Sequence, residues 1–263
     1  MASEPVVAPI RVLVTRPAGE AADTLCAAVN AAGYDAFSQP LLELQGLSQL
    51  SAQCRQMLLD LDRYEHVIFI SSNAVRFGMA LVNDFWPQLP VGLHWYAVGG
   101  ATAEELQRFG ITAITPGSIM TSEGLLAVPA LQQVQGQRVL IVKGEGGRDA
   151  LRQELIRRGA AVDELACYRR CIPTLPAGEL AAMISRWQID VILVSSGEGL
   201  ANFQLLLSPS ETSKFKGIGM VVPSKRVAEM ARYAGFDHVV TAENASDAAM
   251  LHALQQWRSG TGD

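Results

Sequence analysis

Six short polar stretches carry the residue types from which anion-binding turns are built: Thr15-Arg16-Pro17, Ser71-Ser72-Asn73, Gly99-Gly100-Ala101-Thr102, Lys143-Gly144-Glu145-Gly146, Ser195-Ser196-Gly197 and Pro223-Ser224-Lys225. Each follows a short apolar run and precedes a segment with helical character. At such a junction the first N–H groups of the helix have no partner within it, and the aligned peptide dipoles make that end positive. Carboxylates and phosphates bind there. Arg16 and Lys143 stand at strand ends, where a cation adds to the field, and Arg148 and Lys225 could contribute further charge. A second reading competes at each position. Ser195 with Glu198, and Thr102 with Glu105, have the spacing of a capping box, which only secures a helix start. The glycines can simply relax tight turns, and Arg148 can be a solvated helix residue. For a single serine the cap is the default. The recurrence of six such turns favours ligand recognition by the set.

The signatures of other chemistries are missing. GEGGRD lacks the third glycine of the dinucleotide fingerprint, and there is no GxxxxGK[ST] loop. SSGEG has Val194 where a nucleophile elbow requires glycine. His66, His94, His238 and His252 avoid the six turns and read as surface or strand-end residues, and no carboxylate pair recurs at the strand ends. Cys26, Cys54, Cys167 and Cys171 form no CxxC pair, which argues for reduced thiols and against zinc.

The elements that must position the turns come in pairs. RVLVTRPAGEAADTLCAAVNAAGYDA begins at Arg11 and RVLIVKGEGGRDALRQELIRRGAAVDE at Arg138. Each predicts a strand (Val12–Val14, Val139–Val142), a turn and a helix carrying Leu25 and Val29, or Leu151 and Leu155. Gly33 and Gly159 stand where a helix ends in a residue of positive φ. VIFISSNAVRF pairs with VILVSSGEGLANF, and WYAVGGATAEELQRFGI with MVVPSKRVAEMARYAGF. The last two lead through Gly110 or Gly235 to a short strand, ITAIT (111–115) or FDHVVT (236–241), and then to a closing helix. Strands alternating with helices in this way build parallel sheets covered on both faces. With 263 residues, 49% of them hydrophobic, the expectation is an α/β protein of two similar doubly wound parallel-sheet domains. The candidate junctions are QPLLEL (39–44) and YRRCIPTLP (168–176), both proline-containing and apolar. Lys and Arg number 21 against 26 acidic residues, for a net charge of −5, so no basic footprint for nucleic acid is present. No apolar run suggests a membrane span, and MASEPVVAPI lacks the features of a signal peptide; a cytoplasmic protein is expected.

In their order and spacing, LVTRP, FISSNAV, YAVGGATAEEL, VLIVKGEGGRDALRQELIRRGAAVDELACYRR, VSSGEGL and ASDAAMLHAL resemble the uroporphyrinogen-III synthase family over roughly residues 10–257. The resemblance implies that the halves exchange their opening units. One domain would then comprise 1–38 plus 174–263 and the other 39–173, with PLLEL and YRRCIP as a two-strand linker. It implies a lyase that closes the linear tetrapyrrole hydroxymethylbilane with loss of water and inversion of the last ring, working in a cleft between the domains. No cofactor is expected, because the electron-rich pyrroles supply the electrons. The substrate carries eight carboxylates, for which Arg16, Ser71, Ser72, Asn73, Gly99, Thr102, Lys143, Gly144, Ser195, Ser196, Gly197 and Lys225 are the expected contacts. The linear substrate also closes spontaneously without inversion, so holding one conformer is the main task; positioning of this kind can supply about 7–11 kcal/mol. Tyr168 matches the family's functionally important tyrosine, and a phenol, protonated near neutrality, could help the departing hydroxyl leave as water. From the residues alone the better reading of Tyr168 is a tyrosine packed at the junction with its hydroxyl bonded to backbone; the resemblance reverses that preference. Transient hand-over of substrate from the preceding pathway enzyme is a further expectation. Two other classes fit parts of the pattern: a non-catalytic two-lobed protein binding a small anion, and a nucleotide-dependent α/β enzyme, against which the missing phosphate-loop glycines argue.

Overall fold

The computed structural model describes residues 9–117, 119–147 and 149–260. The chain opens with β1 (Arg11–Val14), α1 (Glu20–Ala31) and β2 (Asp35–Ser38). It continues with β3 (Glu43–Gly46), α2 (Ala52–Leu59), β4 (His66–Phe69), α3 (Ser72–Phe85), β5 (His94–Ala97), α4 (Gly100–Gln107), α5 (Ser122–Leu126), β6 (Arg138–Gly144), α6 (Ala150–Arg157) and β7 (Ala161–Cys171). It ends with α7 (Glu179–Trp187), β8 (Val191–Leu193), α8 (Gly197–Leu206), α9 (Pro209–Lys214), β9 (Gly219–Val222), α10 (Lys225–Tyr233), β10 (Val239–Thr241) and α11 (Asp247–Ser259). The described residues form two compact units, the first comprising those up to Glu43 and from Cys171 on, the second Leu44–Arg170.

In the first unit the strand order is β10-β9-β8-β1-β2, and in the second β3-β7-β6-β4-β5. The pairs β1–β2, β1–β8, β8–β9 and β9–β10 are parallel, as are β4–β5, β4–β6 and β6–β7. The mixed α/β class and the parallel sheets agree with the sequence pattern. The pleat explains why the strands read as continuous apolar runs. Leu13, Ile192, Met220 and Val222 face one layer of helices with Leu200 and Phe203, while Val12, Val14, Val191 and Val221 face Leu25, Val29, Met250 and Leu254. In the second unit Phe69 and Val142 point toward Val75 and Met79, and Ile68 and Ile141 toward Leu151 and Leu155. A strand covered on both faces has no polar side to show.

Gly33 and Gly159 take φ of +84° and +85° just past α1 and α6, as the helix-ending role requires. The expected strand at 111–115 is reduced to one bridge between Ile114 and Tyr96. Pro116 follows at once, and a residue without an N–H cannot extend the ladder. The capping boxes expected at the turns also differ: Ser196, not Ser195, caps α8 by accepting from the Gly199 N–H at 3.0 Å, and α4 begins after Gly99 with Thr102 buried inside the helix. A complete capping box occurs instead at Ser208 and Glu211 of α9.

His66 begins β4, but it is buried rather than exposed. Its Nδ1 lies 2.9 Å from the Tyr96 hydroxyl and its Nε2 2.8 Å from Gln137 Oε1. Burial, which penalises the imidazolium, lowers its pKa despite the opposing hydrogen bond accepted by Gln137 Oε1. The folded chain therefore binds this proton less readily than the unfolded chain, whose histidine titrates near 6.5. The stability contribution is complete above that value and is lost as pH falls through it toward the lower folded value. Denaturant unfolding at pH 7 and pH 5 should show stability declining toward acid, with a shallower decline in His66→Gln.

Candidate functional site

A parallel sheet presents all its strand-to-helix turns at the carboxyl ends of its strands. In the second unit this edge gathers Ser71 after β4, Gly99 after β5, Lys143 and Gly144 at the end of β6, and Tyr168 on β7. Ser71 accepts from the Ala74 N–H at 3.1 Å and so caps α3, which places Ser72 and Asn73 in its first turn, half-buried. The Tyr168 hydroxyl is 3.4 Å from Ser71 Oγ. That is long for an O–H···O bond, so the phenol is weakly engaged. Its ring is buried and stacks on Phe77 of α3 with centroids 5.2 Å apart. The β6–β7 register shifts between Lys143 and Gly144, which sets Tyr168 opposite Gly144. The absent side chain is what admits the ring: a Cβ at Gly144 would lie 2.7 Å from the Tyr168 Cζ. Ser71, Gly144 and Tyr168 are thus one packed group.

Of the cations expected in these turns, Lys143 is already partnered. Lys143 is buried, with Nζ 2.9 Å from Glu164 and 3.8 Å from Asp149. Arg148 lies outside the described residues. At α4 no side chain caps the helix, and the Gly100 N–H points at the thioether of Met120, 3.3 Å away, a weak acceptor that no motif had singled out.

The first unit's edge carries Thr15 and Arg16 after β1, Ser195, Ser196 and Gly197 after β8, Ser224 and Lys225 after β9, and Ser246 before α11. Thr15 donates to the Leu193 carbonyl at 2.8 Å and is buried. Arg16 bonds Asp247 and the Ala245 carbonyl and reaches Ser195 Oγ at 3.3 Å. Gly197 lies beneath Arg226, whose guanidinium would be 3.2 Å from a Cβ there. Ser224 and Ser246 cap α10 and α11 by accepting from Val227 and Ala249. Lys225 is exposed and lines a cavity of about 980 Å³ with Arg232, Asn244, Ser246 and His252. Met120, Arg226 and Asp247 escaped the sequence reading because each acts through a long-range contact that no local spacing signals.

The donors that remain for an anion are therefore largely main-chain N–H groups and hydroxyls, with Lys225 as an exposed charge. Such an edge can hold several carboxylates at once, while Tyr168 offers one weakly held proton donor beside Ser71. Nothing in this arrangement resembles a nucleophile–base pair.

A family model described as uroporphyrinogen-III synthase HemD matches residues 23–252. The uroporphyrinogen-III synthase of Escherichia coli K12 is 32% identical over 249 residues, covering 93% of this chain and 99% of that protein. The Proteus mirabilis protein of the same name is 35% identical over 182 residues, covering 69% and 90%. Two solved structures share the fold: a Helicobacter pylori uroporphyrinogen-III synthetase (TM-score 0.60, 12% identity, 94% and 99% coverage) and a mutant uroporphyrinogen III synthase from Thermus thermophilus (TM-score 0.57, 18% identity, 95% and 99% coverage).

The packing of Tyr168 on Gly144 is testable apart from any activity. Gly144→Ala must displace the ring or the strand and should cost about 1–3 kcal/mol in denaturant unfolding. Tyr168→Phe, losing only a long contact, should cost less than about 1 kcal/mol.

Proposed function

Because the chain belongs to the uroporphyrinogen-III synthase family, we propose that it is the lyase that cyclises hydroxymethylbilane, expelling water and inverting the last pyrrole ring, through main-chain control of the substrate's shape. Family membership carries the reaction. The observation that supports the manner is the pair of sheet edges at which strand-to-helix turns offer N–H groups and hydroxyls, while Arg16 and Lys143 are held by Asp247 and Glu164. Hydrogen bonds from such donors to carboxylates are charge-assisted, roughly twice as strong as neutral ones. A net-acidic chain can thus bind a polyanion.

The substrate's own pyrroles drive loss of the hydroxyl, and ring closure needs no external electrons. The enzyme's contribution is to make the rearranged closure faster than the spontaneous one. Ser71, Ser72, Asn73, Gly99, Thr102 and Gly144 in one unit, and Ser195, Ser196, Gly197 and Lys225 in the other, are the turn residues assigned to the carboxylates, mainly through the N–H groups they position. Tyr168 is assigned to the departing hydroxyl. Among the described residues its phenol has Ser71 Oγ, at 3.4 Å, as its hydrogen-bond neighbour, so little is surrendered when it turns to a ligand oxygen. No helix among the described residues is long and apolar enough to cross a membrane. A cytoplasmic location and direct delivery of the short-lived linear substrate by the enzyme that makes it complete the proposal.

Incubation of purified protein with fresh hydroxymethylbilane, followed by separation of the ring isomers, tests the activity. The rearranged type III ring is expected; the unrearranged ring alone would overturn the reading and leave a binding protein. Tyr168→Phe should lower kcat about 10²-fold with unchanged stability, and undiminished turnover would remove its assigned role.

A further inference from the structure

Arg16 bonds to several groups at the first unit's turn edge. Its guanidinium donates to Asp247 Oδ1 and to the carbonyls of Ala245 and Ala21, the last at 3.3 Å, and its Nε reaches Ser195 Oγ at 3.3 Å. These partners belong to the first turn of α1, the turn following β8 and the segment that runs from β10 into the start of α11. In the sheet, β10 lies three strands from β1. At about 4.8 Å per strand that separation is about 14 Å, beyond the reach of an arginine. The 242–247 segment must therefore turn inward over the ends of β9 and β8. Its course follows from packing: Met250, Ala253 and Leu254 of α11 join Leu25 and Val29 of α1 on one face of the sheet, which brings the start of α11 beside the turn after β1. Arg16 closes that junction, with only 12% of its side chain exposed. A planar fork of five N–H donors can satisfy acceptors on several sides, which a single ammonium on a flexible stem cannot do.

We propose that Arg16 is a positioning residue, a clasp that locks the three turns in one arrangement through Asp247, the Ala245 carbonyl and Ser195, rather than a direct grip on a substrate carboxylate. This rests on the reading that the turns of this unit bind the substrate. The clasp sets the direction of the N–H groups at the starts of α8 and α11, so its loss weakens binding more than it slows the chemical step.

Arg16→Ala, Arg16→Lys, Asp247→Asn and the double variant Arg16→Ala/Asp247→Asn test this, with KM and kcat for hydroxymethylbilane and denaturant unfolding measured on each. Each single change is expected to raise KM about fivefold with kcat within about twofold, and the double variant should be no worse than the more impaired single one, since both remove the same contact. Arg16→Lys should behave like Arg16→Ala. The proposal is overturned if Asp247→Asn leaves KM unchanged while Arg16→Ala raises it, if the two effects add, or if lysine restores wild-type KM. Each of these results would mean that the charge acts on the substrate. Should the wild-type protein form no rearranged ring, the functional reading fails, but the unfolding measurements still decide the clasp: non-additive losses of stability support it and additive losses overturn it.

Discussion

In both sheets a strand buried on its two faces turns into a helix that packs back across the sheet. This constraint places the starts of α1, α3, α4, α6, α8 and α10 at the carboxyl ends of the strands they follow. Each start brings N–H groups that the helix cannot use. The two sheets therefore each present a row of main-chain donors. An edge suited to anions is thus a consequence of topology before any charged side chain is considered.

Two of the cations at these edges are engaged within the fold. Lys143 is buried against Glu164, and Arg16 is consumed by Asp247, Ser195 and two carbonyls. Leaving either cation buried without its carboxylate would be strongly unfavourable, so each pair stabilises the turn that contains it. The remaining donors are fixed in direction by the backbone. Fixed donors suit a reaction in which the product is decided by the shape imposed on a flexible substrate.

Tyr168 shows how one small residue governs a larger one. Its ring occupies the space left by Gly144, opposite a register shift, and rests against Phe77. These contacts fix the ring in place and leave the hydroxyl 3.4 Å from Ser71 Oγ, its hydrogen-bond neighbour among the described residues.

Much of the architecture was legible in the chain. Apolar runs such as Val12–Val14 and Val139–Val142, helices carrying Leu25 and Val29, and the glycines that end them determine parallel strands alternating with helices, because these are short-range effects of pleat, helical period and backbone φ. The same logic marked the polar turns. It failed where a distant partner decided the outcome. His66, read as a surface or strand-end residue, does begin a strand, but Tyr96 and Gln137 enclose it, and the 111–115 segment looked like a strand although, among the described residues, Ile114 alone forms a bridge. Strand order, the placing of Tyr168 over Gly144 and the capture of Arg16 by Asp247 belong to tertiary structure alone. Each joins residues far apart in the chain, and local spacing carries no information about which of many compatible partners packing will select.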